Sequence, residues 1–327
     1  MSALLFLTGF FLYLVLIHFY QPKNQKEHDE ISSKRETRFT ETSLFESLGF
    51  KQNECETFTA FADKFKTYDE VAFAIKKAGM ERSDIIIAVD FTASNEWQGR
   101  KTFNARCLHE LVNGKLFNPY QKVIACIGAT LENFDSDHLI PAYGFGDAKV
   151  KDKNVFPFKS NGTPCNGFME VLEYYNEMVS KVALGGPTSF APIIRKAICI
   201  VKEKRSYHIV LIITDGQVKD EDLTANAIIE ASSYPISIVV IGVGDGPWHN
   251  LVNFDDNLPR RKFDNFQFVN FHEVYTKSKY AEAAFALNVL MEIPDQYQAI
   301  RTLGYLNQLP SDTKQEDKQC FEEEKLI

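Results

Sequence analysis

Cysteine is sparse and scattered: Cys55, Cys107, Cys126, Cys165, Cys199 and Cys320 stand far apart in a chain of 327 residues, with no Cys-x-x-Cys pair. That spacing excludes a zinc cluster and a disulfide framework and favours a reducing compartment. Cys126 and Cys199, inside apolar runs, read as core thiols. Basic residues form no stripe and the formal net charge is -8, so nucleic acid is not expected as a partner. There is no Gly-x-Ser-x-Gly elbow, no visible nucleophile–base pair and no internal repeat. Neither catalysis nor a small-molecule substrate is therefore expected. What is present is ordinary for a globular protein, 45% hydrophobic and 24% charged, enough for one large domain or two small ones.

One long apolar run does occur, at the start. Residues 3–20, ALLFLTGFFLYLVLIHFY, carry no formal charge, and as a helix they would rise about 27 Å, close to the thickness of a hydrocarbon core. No Lys or Arg precedes the run, and it leaves through bulky His18, Phe19 and Tyr20. Those features favour an uncleaved anchor over its rival, a cleaved signal peptide. Lys23, Lys26, Lys34 and Arg35 follow the run, which by the positive-inside rule puts the remainder in the cytosol. The expected division is a transmembrane signal-anchor over 1–22, a polar tether over 23–57 with a short helix near 43–48, a folded domain over 58–300 and an acidic polar tail over 301–327. The expected localisation is a single-pass membrane protein with a cytosolic domain. A secreted or luminal placement is the rival, in which Asn161-Gly162-Thr163 would be a glycosylation sequon.

Within the domain, strand candidates at 85–90, 122–127, 139–143, 208–214, 236–243 and 266–269 alternate with helical stretches at 58–78, 101–112, 167–180, 190–202, 221–232 and 279–291. That alternation predicts an α/β fold with a doubly wound, mostly parallel sheet. The first strand, Ile85-Ile86-Ile87-Ala88-Val89, ends in Asp90 and opens into Thr92 and Ser94. Ligand sites of open α/β sheets lie outside the carboxyl ends of the strands. One carboxylate and two hydroxyls at that place are three oxygen donors for a hard cation. Thr188, in Gly185-Gly186-Pro187-Thr188-Ser189, can add a third hydroxyl, and Asp215, after the apolar run 209–213, a second carboxylate. Such a set suits Mg2+ or Mn2+ with a coordination position left open, and lacks the nitrogen and sulfur donors zinc prefers. Taken singly, each loop reads more readily as an Asx-turn, a helix cap or a plain turn. Gly242-Val243-Gly244-Asp245-Gly246 has its third glycine misplaced for a dinucleotide fingerprint and reads as a structural turn. His208 reads as core or edge, His109 as solvated on a helix, and Trp248 as a packing residue.

Asp90-x-Thr92-x-Ser94, Thr188 and Asp215 resemble the metal-ion-dependent adhesion site of von Willebrand factor A (vWA) domains. DFTASNEW, LIPAYGFGD, CNGFMEVL, GPTSFAPII, TDGQV, GVGDGPW and FDDNLPRRKFDNFQFVNF look like the copine-type vWA domain, above all the version in plant RING-finger ubiquitin ligases, over about residues 64–300. The resemblance implies a six-stranded sheet with one short antiparallel edge strand, wrapped by helices. It implies that Asp90, Thr92, Ser94, Thr188 and Asp215 bind the metal and that an acidic side chain of a protein partner completes the coordination. After Met291 the chain offers only Cys320 toward the eight ligands of a RING, and only the anchor and tether precede the domain where copines carry two C2 domains. Ubiquitin transfer and calcium-dependent lipid binding are accordingly not carried over. The expectation is a membrane-anchored, non-catalytic module that captures a protein through Mg2+ or Mn2+. The rivals are a ubiquitin-ligase subunit working with a RING partner and a secreted or luminal adhesion protein.

Overall fold

A computed structural model describes residues 38–50, 55–112, 117–216, 218–258 and 261–306. Its first half runs through α1 (Ser43–Ser47), α2 (Phe58–Ala62), α3 (Tyr68–Lys77), β1 (Asp84–Asp90), α4 (Pro119–Leu131), β2 (Leu139–Ile140), β3 (Ala142–Phe145), β4 (Val155–Pro157) and β5 (Cys165–Asn166). The second half runs through α5 (Gly167–Lys181), α6 (Ala191–Lys204), β6 (His208–Thr214), α7 (Glu221–Ala231), β7 (Ile236–Gly242), α8 (His249–Asn257), β8 (Phe266–Asn270), α9 (Phe271–Lys277), α10 (Ala281–Leu290) and α11 (Ile293–Thr302).

The β-branched runs of β1, β6 and β7 are buried at every position, as strands covered on both faces must be. Alternate residues supply the two faces. Ile85, Ile87, Val89, Ile209, Leu211 and Ile213 join one core, and Ile86, Ala88, Val210 and Ile212 join the other. The sheet order is β4-β3-β1-β6-β7-β8, parallel throughout except for β4, which lies antiparallel on β3. A mixed six-stranded sheet flanked by helices is therefore what forms. Strand order reverses at β1, with β3 on one side and β6 on the other, so the crevice expected of such a reversal opens beyond Asp90 and Thr214.

Several expected elements differ. Residues 122–127 are not a strand but the middle of α4, which Asn118 starts with a reciprocal cap to Gln121 and Pro119 in the first turn. A short apolar run does not by itself separate a buried strand from a buried helix. Residues 101–112 form turns instead of a helix. Asn104 and Ala105 take φ of 54° and 58°, incompatible with helix, and the Asp245 carboxylate accepts from the backbone N–H groups of Lys101 and Thr102, each at 2.9 Å. The stretch 58–78 splits into α2 and α3 because Thr67 caps a new helix start. Pro141 separates β2 from β3, and β2 pairs with β5 away from the main sheet. Cys126 is a buried thiol, whereas Cys199 is half-buried on α6 and disulfide-bonded. Trp248 packs on Phe268 with ring centroids 5.5 Å apart.

Part of the expected tether belongs to the core. Phe39, Leu44 and Phe45 are buried, and Phe39 stacks on Phe61 at 5.3 Å. Arg38 reaches Asp255 at 3.1 Å, Asp264 at 3.0 Å and Glu292 at 3.2 Å. These aromatics are too irregularly spaced to show a period, which is why the stretch reads as polar. At the other end, Tyr305 packs beside Phe263 at 6.5 Å. The membrane-spanning helix expected over residues 3–20 lies outside the described residues, and among the described residues no helix is long and apolar enough to cross a membrane.

Candidate metal centre

Asp90 closes β1, and the chain leaves it through Phe91 and Thr92 into a single 3-10 turn, Ala93–Glu96. The Asp90 carboxylate is fixed from two sides. Thr92 N–H donates to Oδ1 at 2.8 Å, and the hydroxyl of Thr214, at the end of β6, donates to Oδ2 at 2.6 Å. The loop ahead of α6 is laced to the same segment, since Ala93 N–H donates to Gly185 O at 2.7 Å and Gly185 N–H to Phe91 O at 3.1 Å. Three residues further on, buried Thr188 accepts on its carbonyl from Lys219 N–H at 3.0 Å, which ties it to the loop after β6. In that loop Asp215 accepts from Ser94 Oγ at 2.9 Å, and Ser94 Oγ lies 2.8 Å from Thr92 Oγ1. Asp90, Thr92, Ser94 and Asp215 are thus joined by side-chain and main-chain hydrogen bonds, and Thr188 is tied through its backbone carbonyl to Lys219, in the loop that follows Asp215.

Asp90 and Asp215 are both 0% exposed, and Asp215 Oδ2 has no hydrogen-bond partner. Burial pushes the Asp90 carboxyl up to about 6, against the donors from Thr214 and Thr92. Asp215 is pushed well above the usual carboxylate range, by burial first and then by the negative charge of Asp90. Two buried carboxylates that repel each other, one oxygen unpartnered, are costly when ionised unless a cation compensates them. The donors are all carboxylate or hydroxyl oxygens, and the set fits a hard divalent cation.

The floor beneath these loops was not legible in the sequence. His109, expected to be solvated on a helix, is buried off any helix. Its ring lies between Phe91, 4.8 Å away, and Tyr120, 4.3 Å away. Nε2–H donates to Asp90 O at 2.8 Å and Nδ1 accepts from the Tyr175 hydroxyl at 2.9 Å. Burial pushes the ring down to about 4, so it stays neutral at physiological pH. Tyr120 OH donates to Asn95 Oδ1 at 2.7 Å, and Asn95 Nδ2 donates to Thr92 O at 3.0 Å. A glycine completes the cradle. Gly146 has φ of 77°, and a Cβ there would meet Thr92 Cγ2 at 2.4 Å and Asp90 Oδ1 at 3.3 Å. Gly146→Ala is expected to cost about 1–3 kcal/mol, through positive φ and the clash together. A lowered thermal midpoint is the readout, and an unchanged midpoint would show that the loop gives way freely.

A family model described as Copine matches residues 107–309. The chain belongs to the copine family. Copine family protein 2 of Caenorhabditis elegans is 51% identical to it over 245 residues, 74% of this chain and 3% of that protein. The E3 ubiquitin-protein ligase RGLG5 of Arabidopsis thaliana is 46% identical over 306 residues, 89% of this chain and 68% of the ligase. The family model begins after β1, so Asp90, Thr92 and Ser94 of this copine lie outside it, whereas the ligase match leaves too little of the chain over to omit them. A solved von Willebrand factor type A structure from Catenulispora acidiphila is similar at a TM-score of 0.40 and 13% identity, over 64% of this chain and 43% of that one. The expected single-pass membrane localisation is corrected here. No helix among the described residues of this copine can span a bilayer, and the relative that matches 89% of it is named for ubiquitin ligation.

Proposed function

We propose that this copine domain captures a protein partner through a divalent cation, Mg2+ or Mn2+, held by Asp90, Thr92, Ser94, Thr188 and Asp215. The observation that carries the reading is the buried, unpartnered Oδ2 of Asp215 beside a second buried carboxylate. A bound dication supplies an open coordination position that favours a carboxylate, so the partner is expected to present an Asp or Glu side chain. Calorimetric titration of Mg2+ into the full chain tests this. The expected result is a binding component that Asp90→Ala removes while the circular dichroism spectrum is unchanged. A variant that binds Mg2+ as the parent does would sink the reading.

The likeness to RGLG5 favours a second reading, in which the domain works within a ubiquitin ligase. Ubiquitin-chain formation by material co-purified with the chain, and its loss with the same Asp90→Ala variant, would support that association. Activity indifferent to the variant would place the ligase link away from this site.

A further inference from the structure

At the opposite end of β1 from Asp90 lies a second group of acids that the reading above does not use. Asp84 opens β1, Asp135 and Asp137 follow α4, and one carboxylate oxygen from each lies within 4.8 Å of the others. The distance along β1 from this group to Asp90 is about 20 Å at the usual strand rise. Surface acids cluster without consequence in many proteins, but two of these three are not surface acids. Asp84 is 5% exposed and Asp135 7% exposed, while Asp137 is open to solvent.

The polar atoms around the group are left short of partners. Asp135 Oδ1 is buried without a hydrogen bond, and so is Oγ of Ser83, which bridges to Asp135 in the backbone. His208 is wholly buried, and its Nδ1 donates to the carbonyl of Ser206 at 3.0 Å. A carbonyl only accepts, so Nδ1 carries the proton and the neutral ring turns a bare Nε2 lone pair outward. That nitrogen has no hydrogen-bond partner and faces Asp84 Oδ2 at 3.7 Å. A lone pair opposite a carboxylate oxygen, in a group that also holds a buried carboxylate oxygen without a partner, is an arrangement a cation relieves. Asp84 is also oriented, accepting from Ser136 Oγ on Oδ1 and from Ser206 Oγ on Oδ2, each at 2.5 Å. Among the described residues the positive charge in contact is Lys204 Nζ, 2.9 Å from Asp137 Oδ2, one against three carboxylates.

We propose that Asp84, Asp135 and Asp137 form a second divalent-cation site at the amino end of β1, taking a hard ion through oxygen donors. The ion would join the start of β1 to the turn after α4, with the start of β6 held alongside through Ser206. It is a separate site from the candidate centre at Asp90, and neither depends on the other.

Manganese is the probe, because its paramagnetic resonance signal counts free ion directly. Mn2+ is titrated into the full chain carrying Asp90→Ala, and into the same chain carrying Asp90→Ala with Asp135→Asn. The expected result is one bound ion per chain in the first and none in the second, with circular dichroism unchanged. Should Asp135→Asn disturb folding, Asp137→Asn, more exposed, serves in its place. In parallel, bound Mn2+ is expected to broaden the ring protons of His208 in a manner that Asp135→Asn abolishes. No bound ion at millimolar Mn2+ in the Asp90→Ala chain, or binding indifferent to both acid substitutions, overturns the proposal. If the parent and Asp90→Ala chains bind alike while Asp135→Asn loses an ion, the second site stands and the reading at Asp90 fails.

Discussion

Asp215→Asn is expected to abolish Mg2+ binding at the Asp90 crevice and, in the presence of chelator at neutral pH, to raise the thermal midpoint of the domain. The two effects have one cause. Asp215 is wholly buried, faces Asp90, and has an oxygen with no partner, so without a cation its ionised form is a burden. Asparagine keeps an acceptor for Ser94 and removes the charge. Both Asp90 and Asp215 hold protons more tightly in the folded domain than in an unfolded chain, where aspartate titrates near about 3.9. The folded state therefore binds more protons above about pH 4, and stability falls as pH climbs from there, through about 6 for Asp90 and further for Asp215. The advantage of the asparagine variant is accordingly absent near about pH 4 and grows as the pH rises toward neutral. Each tenfold difference in proton affinity between the folded and unfolded chain is worth about 1.4 kcal/mol, which corresponds to roughly 3–6 °C for a domain of this size. Thermal scans at the two pH values measure it. The parent should regain the difference when Mg2+ is added, and the variant should not respond. A variant less stable than the parent at neutral pH would remove the electrostatic ground for a cation here.

Phe39→Ala is expected to destabilise the domain by about 3–5 kcal/mol, the usual cost of emptying a buried aromatic position. Phe39 is 0% exposed and sits among Phe45, Phe58 and Phe61 with ring centroids 5.3–6.0 Å away. Urea unfolding with an unchanged slope and a lower midpoint is the expected signature. A midpoint within error of the parent would return residues 38–50 to the status of a tether. The result bears on practice as well, because a fragment cut at residue 58 would discard part of the core.

The central strands were legible because apolar runs of β-branched residues bounded by polar ones have few other uses. β1, β6 and β7 fall where those runs lie. Residues 122–127 misled for the opposite reason. Their signal is local and short, and the decision for helix comes from Asn118, Pro119 and Gln121 just upstream. Thr92, Ser94 and Asp215 draw together as their order and loop positions predict, but Thr214 as a donor to Asp90 could not be read, since its hydroxyl looks like any strand residue's. His109 shows the limit most clearly. Nothing in a sequence of turns announces that a ring will be stacked between Phe91 and Tyr120, because burial there is created by α4 and α5 arriving from elsewhere in the chain.

Ser43 N–H donates to the Asp295 carboxylate at 3.1 Å, and Arg38 bonds to Glu292, so the first described residues are fastened to the start of the last helix. The first described segment is thus closed onto the last described helix. A domain that ties its own first and last segments together carries its stability with it when it is set in a longer polypeptide. The matching region makes up 3% of one relative and 68% of another, and a unit fastened in this way suits both settings.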